Sequence, residues 1–86
     1  MSCYLLKDPD AVLDYQHDWS TWLGADTIST STWTASGLTV DSDSNTTTTA
    51  TVWLSGGTTG QVVTVTNRVV TAGGRTEDIE LVIRVK

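Results

Sequence analysis

The chain has one cysteine, one proline and no phenylalanine among its 86 residues. Cys3 cannot close a disulfide within the chain, so burial and hydrogen bonding must hold the fold together. The sequence has no apolar run approaching the roughly 20 residues of a membrane span, and none typical of a signal peptide. We therefore expect a soluble protein that is assembled in a reducing cytoplasm.

Basic residues are also scarce, with five Lys and Arg against ten Asp and Glu, for a net charge of −5. A surface that neutralises phosphates needs clustered basic residues, so neither nucleic acid nor a membrane is an expected partner. The length corresponds to one small domain. Eight Ser and 17 Thr leave only a thin core of Val, Leu, Ile and Trp. A roomy enzyme cleft is not expected in such a body.

What the sequence does contain is period-two alternation. Leu13, Tyr15, His17 and Trp19 alternate with polar residues, as in a half-buried strand. A second strand follows, and because Ile28 and Trp33 in it have opposite parity, it needs a bulge if both point inward. Strands are predicted near residues 12–19, 27–34, 46–54, 61–70 and 78–85, with a short apolar run at 38–40 and a polar loop at 41–45.

Short strands with turn signals between them and no helical period are typical of a sandwich. The predicted fold is all-β, an antiparallel immunoglobulin-like β-sandwich of about seven strands with Trp33 as its central core residue. The last strand, or any open sheet edge, is a candidate for strand addition by a neighbouring subunit.

The first part of the chain is acidic. Lys7 is the only basic residue among the first 45, against seven aspartates, and Pro9 disfavours helix at Asp8. We predict an extended acidic arm over residues 1–11 and a single sandwich domain over residues 12–86.

No motif points to catalysis or to a cofactor. His17 shares a strand face with aromatic residues and is interpreted as structural. Residues 41–45 alternate oxygen donors as a calcium loop does, but Thr46 and Val52 stand where the helical loop needs Gly and Glu. No catalytic, metal or cofactor residue is therefore predicted.

Four tryptophans in so short a chain are the most distinctive feature. Trp19 and Trp22 flank a Ser-Thr pair beside acidic residues, and at least one of them is expected near the surface. Exposed indoles can stack on sugars or form energetic centres of protein contacts. A carbohydrate-binding module is therefore the alternative from another class, and it requires Trp19 or Trp22 on a flat open surface.

Five segments carry a resemblance to a known family: KDPDAVLDY, DWSTWLGADTISTSTWT, GLTVDSDS, TATVWLSGG and VTNRVVTAGGRTEDIELVIRV. Together they resemble the small fiber-tail adaptor proteins of tailed bacteriophages, over nearly the whole chain. The resemblance implies a non-enzymatic, multicopy virion protein with an immunoglobulin-like domain that links tail or baseplate components to fibers. Its partners would be other phage structural proteins and copies of itself, and its location the virion, after assembly in the host cytoplasm.

Under this resemblance, four residues are predicted to contact partners: Leu5, Leu6, Trp19 and Trp22. A capsid decoration protein with the same fold is the alternative within the same class, since the sequence does not separate head from tail.

Overall fold

A computed structural model of the chain describes residues 2–86, with side chains described from Leu5 onward. Its strands are β1 (Ser2–Lys7), β2 (Leu13–Asp18), β3 (Ile28–Ala35), β4 (Thr39–Asn45), β5 (Thr49–Ser55), β6 (Val62–Thr71) and β7 (Thr76–Val85). One short helix, α1 (Ser20–Leu23), lies between β2 and β3.

The strands form two sheets. The larger has the order β1-β7-β6-β3 and the smaller the order β2-β5-β4. All neighbouring strands are antiparallel except β1 and β7, which are parallel with Ser2 opposite Glu80 and Lys7 opposite Val85. Two packed, mostly antiparallel sheets confirm the predicted all-β sandwich of about seven strands.

The core lies between the sheets and is supplied by alternate residues of the strands. In β7, for example, Ile79, Leu81, Ile83 and Val85 are buried while the intervening charged residues are exposed. Trp33 is 6% exposed, which confirms its predicted place in the core. The other buried apolar residues are Trp19, Leu23, Ile28, Leu38, Ala50, Val52, Leu54, Val63, Val65 and Val69.

The irregularity predicted in the second strand is present. The register of β3 against β6 shifts between Ile28 and Thr30, and the shift lets both Ile28 and Trp33 face the core. The bulge therefore solves the parity conflict that the sequence shows.

The prediction of a polar loop at residues 41–45 is wrong, because these residues belong to β4. The strand pairs with β5, and every side chain from Thr39 to Asn45 is exposed. At this sheet edge the backbone ladder alone defines the strand, so no buried face imposes an apolar alternation. A register shift between Val40 and Ser42 also interrupts the alternation of side chains between the two faces of β4.

Of the residues predicted to form an extended arm, Ser2–Lys7 are extended but lie in the larger sheet as β1, and residues 8–11 form a turn in which the Ala11 N–H donates to the Asp8 carbonyl at 3.1 Å. Met1 is outside the described residues. The Lys7 side chain is 1% exposed, and its Nζ donates hydrogen bonds to the carbonyl oxygens of Asp8 at 2.9 Å and Gly56 at 2.7 Å. This buried lysine thus fastens the end of β1 to the loop after β5.

Two further differences from the sequence reading bear on the site. β7 is an interior strand over most of its length, because β1 covers it from Glu80 onward. One helical turn, α1, follows β2 where no helical period is visible. Its four residues are too few for such a period to appear.

Candidate functional site

A groove of about 600 Å³ opens where the two sheets meet, between the end of β2 with α1 on one side and the start of β7 on the other. We call it the Trp22 groove. It is lined by His17, Asp18, Trp19, Thr21, Trp22, Glu77, Asp78 and Ile79.

α1 places both indoles at the groove. The Asp18 carboxylate accepts a hydrogen bond from the Ser20 N–H at 2.9 Å, and the Leu23 N–H donates to the Trp19 carbonyl at 2.9 Å, which closes a single turn. Gly24 ends the turn with a φ of 62°, a value that favours glycine. Because residues three apart lie on one side of a helix, Trp19 and Trp22 point the same way.

Aromatic rings form the floor of the groove. The His17 and Trp19 rings meet edge to face, with centroids 4.8 Å apart, and the Trp19 and Trp22 rings do so at 5.3 Å. Trp19 is 3% exposed and its Nε1 donates to Oδ1 of the buried Asn67 at 3.0 Å. Trp19 is thus fixed from beneath, while Trp22 is only half-buried.

Arg75 holds Trp22 from the hairpin between β6 and β7. Its guanidinium carbon lies 4.3 Å from the Trp22 ring centroid. The same guanidinium donates to the Leu23 carbonyl at 2.9 Å and to an Asp26 carboxylate oxygen at 3.1 Å. One face of the indole is therefore already covered by a cation of this chain.

The rim of the groove is acidic. Asp78 is bound by Arg68 through two hydrogen bonds of 2.8 and 3.0 Å, which lower the pKa of its carboxyl. Hydrogen bonds from Ser20 lower the pKa of Asp18, so it is ionised at neutral pH. Among residues 2–86, neither Asp18 nor Glu77 has a basic side chain within salt-bridge distance.

His17 adds no positive charge to this rim at neutral pH. Burial lowers the pKa of its imidazole, and this outweighs the opposing attraction of Asp18. The groove is therefore an apolar, aromatic surface with two carboxylates at its margin, those of Asp18 and Glu77, which accept backbone hydrogen bonds but form no salt bridge within the described part of the chain.

The groove also borders the part of the β7 edge that precedes Glu80. β1 begins opposite Glu80, so within the described residues no strand pairs with positions 76–79 of β7 on this side. The Asp78 N–H there is bonded by the side chain of its own neighbour, since Glu77 Oε1 accepts from it at 3.0 Å. A side chain thus occupies the place of a strand carbonyl, a common way to protect an edge.

The four residues predicted to contact partners lie in two places. Trp19 and Trp22 meet in the Trp22 groove, although Trp19 is enclosed by the chain itself. Leu5 is half-buried against the core, and Leu6 is 55% exposed on the outer face of the larger sheet. There Leu6 and the exposed Val62 flank Arg84 in neighbouring strands, beside the half-buried Val82. We call Leu6, Val62, Val82 and Arg84 together the Leu6 face.

Sequence reasoning missed the β7 side of the groove. Glu77 and Asp78 belong to a regular alternating strand, and nothing in that alternation connects them with Trp22. Trp53 is 42% exposed on the outer face of the smaller sheet, as its alternation with the buried Val52 and Leu54 in the sequence indicates.

The described residues contain no group of three or more His, Cys, Asp or Glu side chains arranged to hold a metal ion. They also include no helix with the length and apolar character needed to cross a membrane.

The protein-family comparison matches residues 7–84 to the family described as podophage GP4 fiber-tail adaptor protein gp77. The chain belongs to this family. The match covers all seven strands at least in part, and the groove entirely. No curated protein matches the chain. Membership supports a structural role for the chain in a phage tail.

Proposed function

We propose that the chain is a non-enzymatic, multicopy adaptor of the virion that links tail or baseplate components to fibers and is assembled in the host cytoplasm. The observation that carries the proposal is the family match over residues 7–84. The structure supports it with two unlike surfaces, the Trp22 groove and the Leu6 face. An adaptor needs at least two contacts, and large apolar residues are common at the centre of such contacts.

We assign the two surfaces different partners. The Leu6 face is a regular sheet surface on which Leu6 and Val62 are exposed. We propose that it contacts further copies of the chain. Leu5, the neighbour of Leu6 in β1, packs against the core and holds the strand in place beneath this contact. The Trp22 groove, with Trp19 as its floor, contacts a different tail or fiber protein. The net charge of −5 is consistent with protein partners rather than nucleic acid or membrane.

The groove also supports a binding role rather than catalysis. His17 packs against Trp19, and among the described side chains, those of residues 5–86, no hydrogen bond joins it to a hydroxyl or a carboxylate. A nucleophile must lie within hydrogen-bond reach of its base. The packing of His17 against an indole thus favours a structural place for it within a binding surface.

The alternatives receive less support. A capsid decoration protein would use the same sandwich, but the family description refers to the tail and fiber. The carbohydrate-binding alternative requires Trp19 or Trp22 on a flat open surface. Trp19 is enclosed, and Arg75 covers one face of Trp22.

An amber mutation in the gene for this chain tests the adaptor function in the phage that encodes it. We expect particles grown without suppression to contain filled heads and tails but to lack fibers in electron micrographs. Quantitative mass spectrometry of wild-type particles should give several copies of the chain per virion. Fibers that remain attached to particles without the chain would refute the proposal, and immunogold labelling over the capsid would favour decoration instead.

A further inference from the structure

We propose that the Trp22 groove binds a lysine or arginine side chain of a partner protein, presented by an extended segment that lies beside positions 77–79 of β7. This inference rests on the proposed adaptor function, because it names the chemistry of the partner that the groove receives. It follows from the shape of the groove, its charge and the strand edge beside it.

The charge of the groove selects a cation. Asp18 and Glu77 stand at its margin with no basic partner in the described part of the chain, and both are exposed. Asp78 adds a third carboxylate, which Arg68 already binds. An acidic partner would be repelled, and a neutral one would leave the carboxylates without a counter-charge.

The aromatic floor suits the long side chain that carries such a cation. Lysine and arginine have apolar stems that pack against indoles while the charged end reaches polar groups. The chain already shows this chemistry once, since Arg75 lies 4.3 Å from the centroid of the Trp22 ring and donates to a carbonyl and a carboxylate beyond it. A volume of about 600 Å³ is ample for one such side chain.

The strand edge explains why the segment is extended. β1 pairs with β7 only from Glu80 onward, so the backbone at 77–79 faces the groove without a strand partner among residues 2–86. The Glu77 carboxylate that accepts from the Asp78 N–H belongs to an exposed side chain. A partner carbonyl can replace it there, and this frees Glu77 to meet the incoming cation.

Titration of the purified chain with a short blocked peptide tests the inference. The probe has a lysine flanked by valine and threonine on each side, and the control peptide has norleucine in place of lysine. In ¹⁵N-resolved NMR spectra we expect saturable shifts at the amides of His17 and Asp78 and at the Trp22 indole N–H. The norleucine peptide keeps the apolar stem and should bind roughly tenfold more weakly.

Two double variants distinguish the effect of the charge at the groove from the effect of the net charge of the chain. Asp18→Asn with Glu77→Gln keeps the hydrogen-bond acceptors for Ser20 and Asp78, and should weaken lysine-peptide binding roughly five- to tenfold. Asp41→Asn with Asp43→Asn removes the same charge from β4, away from the groove, and should leave binding unchanged. Equal melting temperatures for both variants and the wild type establish that folding is intact.

Absence of saturable shifts, shifts confined to the Leu6 face, or equal weakening by the two double variants would each overturn the inference. None of these results depends on fiber attachment. A peptide that fails to bind, together with an amber phage that lacks fibers, would refute the basic ligand and leave the adaptor function intact. An amber phage that keeps its fibers would refute the adaptor function instead.

Discussion

Trp19 and Asn67 form a buried side-chain pair that joins the loop after β2 to the middle of β6. The indole Nε1 donates to the Asn67 Oδ1 at 3.0 Å, and Asn67 is fully buried. The Asn67 amide in turn donates to the Ser31 Oγ at 2.9 Å and to the Thr32 carbonyl at 3.1 Å. One amide thus satisfies three polar groups and fixes the floor of the Trp22 groove against the larger sheet.

We expect Asn67→Ala to lower the free energy of unfolding by about 2–4 kcal/mol. The change leaves the buried Trp19 indole N–H without its acceptor, removes the donor to the Thr32 carbonyl, and opens a small cavity. Urea denaturation followed by tryptophan fluorescence measures the loss. The matched control is Asn45→Ala on the exposed β4, which should change stability by less than about 0.5 kcal/mol. Similar losses for both variants would contradict the assigned role of Asn67.

The two buried indoles should respond differently to phenylalanine. Within the described residues no acceptor meets the Trp33 Nε1, whereas the Trp19 Nε1 has Asn67. Trp33→Phe removes an unpartnered donor along with some volume, and should cost about 1 kcal/mol. Trp19→Phe removes a similar volume and in addition leaves the Asn67 Oδ1 without its donor, so it should lower the free energy of unfolding by about 2–3 kcal/mol. Chemical denaturation of the two variants compares them directly, and a reversed order would refute this explanation.

Truncation of Trp33 tests its role in the core. Trp33→Ala should cost about 3–5 kcal/mol, because a large side chain is lost from between the sheets. That is a large share of the stability of a small domain, so a substantial fall in melting temperature is expected. A melting curve close to that of the wild type would show that the core does not depend on this indole.

The parts of the fold with a buried face were predictable from the sequence. Alternation in β6 and β7 and the parity conflict between Ile28 and Trp33 report directly on which side chains must enter the core. β4 was not predictable, because its side chains are exposed on both faces and only backbone pairing defines it. β1 was not predicted as a strand, because Pro9 and the acidic residues that follow β1 indicated an extended arm. The burial of Lys7 was not predictable either, since it depends on the Gly56 carbonyl in a distant loop.

The candidate site was also predictable only in part from the sequence. Trp19 and Trp22 were identifiable because they are large apolar residues in a polar, acidic segment. Glu77 and Asp78 could not be assigned to the site from sequence, since their place beside α1 depends on how the two sheets pack. Register and sheet order, which bring the start of β7 to the end of β2, depend on contacts between residues far apart in the chain.

Lys7 gives a direct test of β1 as part of the sandwich. Lys7→Ala should lower stability by about 2–3 kcal/mol, because it removes a buried stem and the donor to the Asp8 and Gly56 carbonyls. Lys7→Met retains the stem and should lose less. Lys86→Ala, at an exposed position, controls for the loss of a positive charge and should be neutral. Hydrogen exchange should show faster exchange in β1 of Lys7→Ala, and unchanged protection there would contradict a fastening role.

Asp26 should make stability depend on pH in the acid range. Hydrogen bonds from the Thr71 hydroxyl and from the N–H groups of Thr27 and Gly73, with a further one from Arg75, lower the pKa of its carboxyl to about 2. The unfolded chain has a carboxyl pKa near 4, so between about pH 4 and pH 2 it binds a proton that the folded chain does not. The stabilisation is therefore complete above pH 4 and is lost as the pH falls toward 2.

We expect the melting temperature of the wild type to fall between pH 4 and pH 2, and Asp26→Asn to fall less over that interval because the titrating group is gone. Asp26→Asn should also melt lower than the wild type at pH 7, since the ion pair with Arg75 is lost and the hairpin beside Trp22 is loosened. Asp43→Asn is the matched control, an exposed aspartate whose side chain makes no hydrogen bond within residues 2–86, and it should keep the wild-type profile. Because Arg75 contacts both Asp26 and Trp22, the indole fluorescence of Asp26→Asn should shift at neutral pH as well. An unchanged emission spectrum together with a wild-type acid profile would show that the hairpin is held by other contacts.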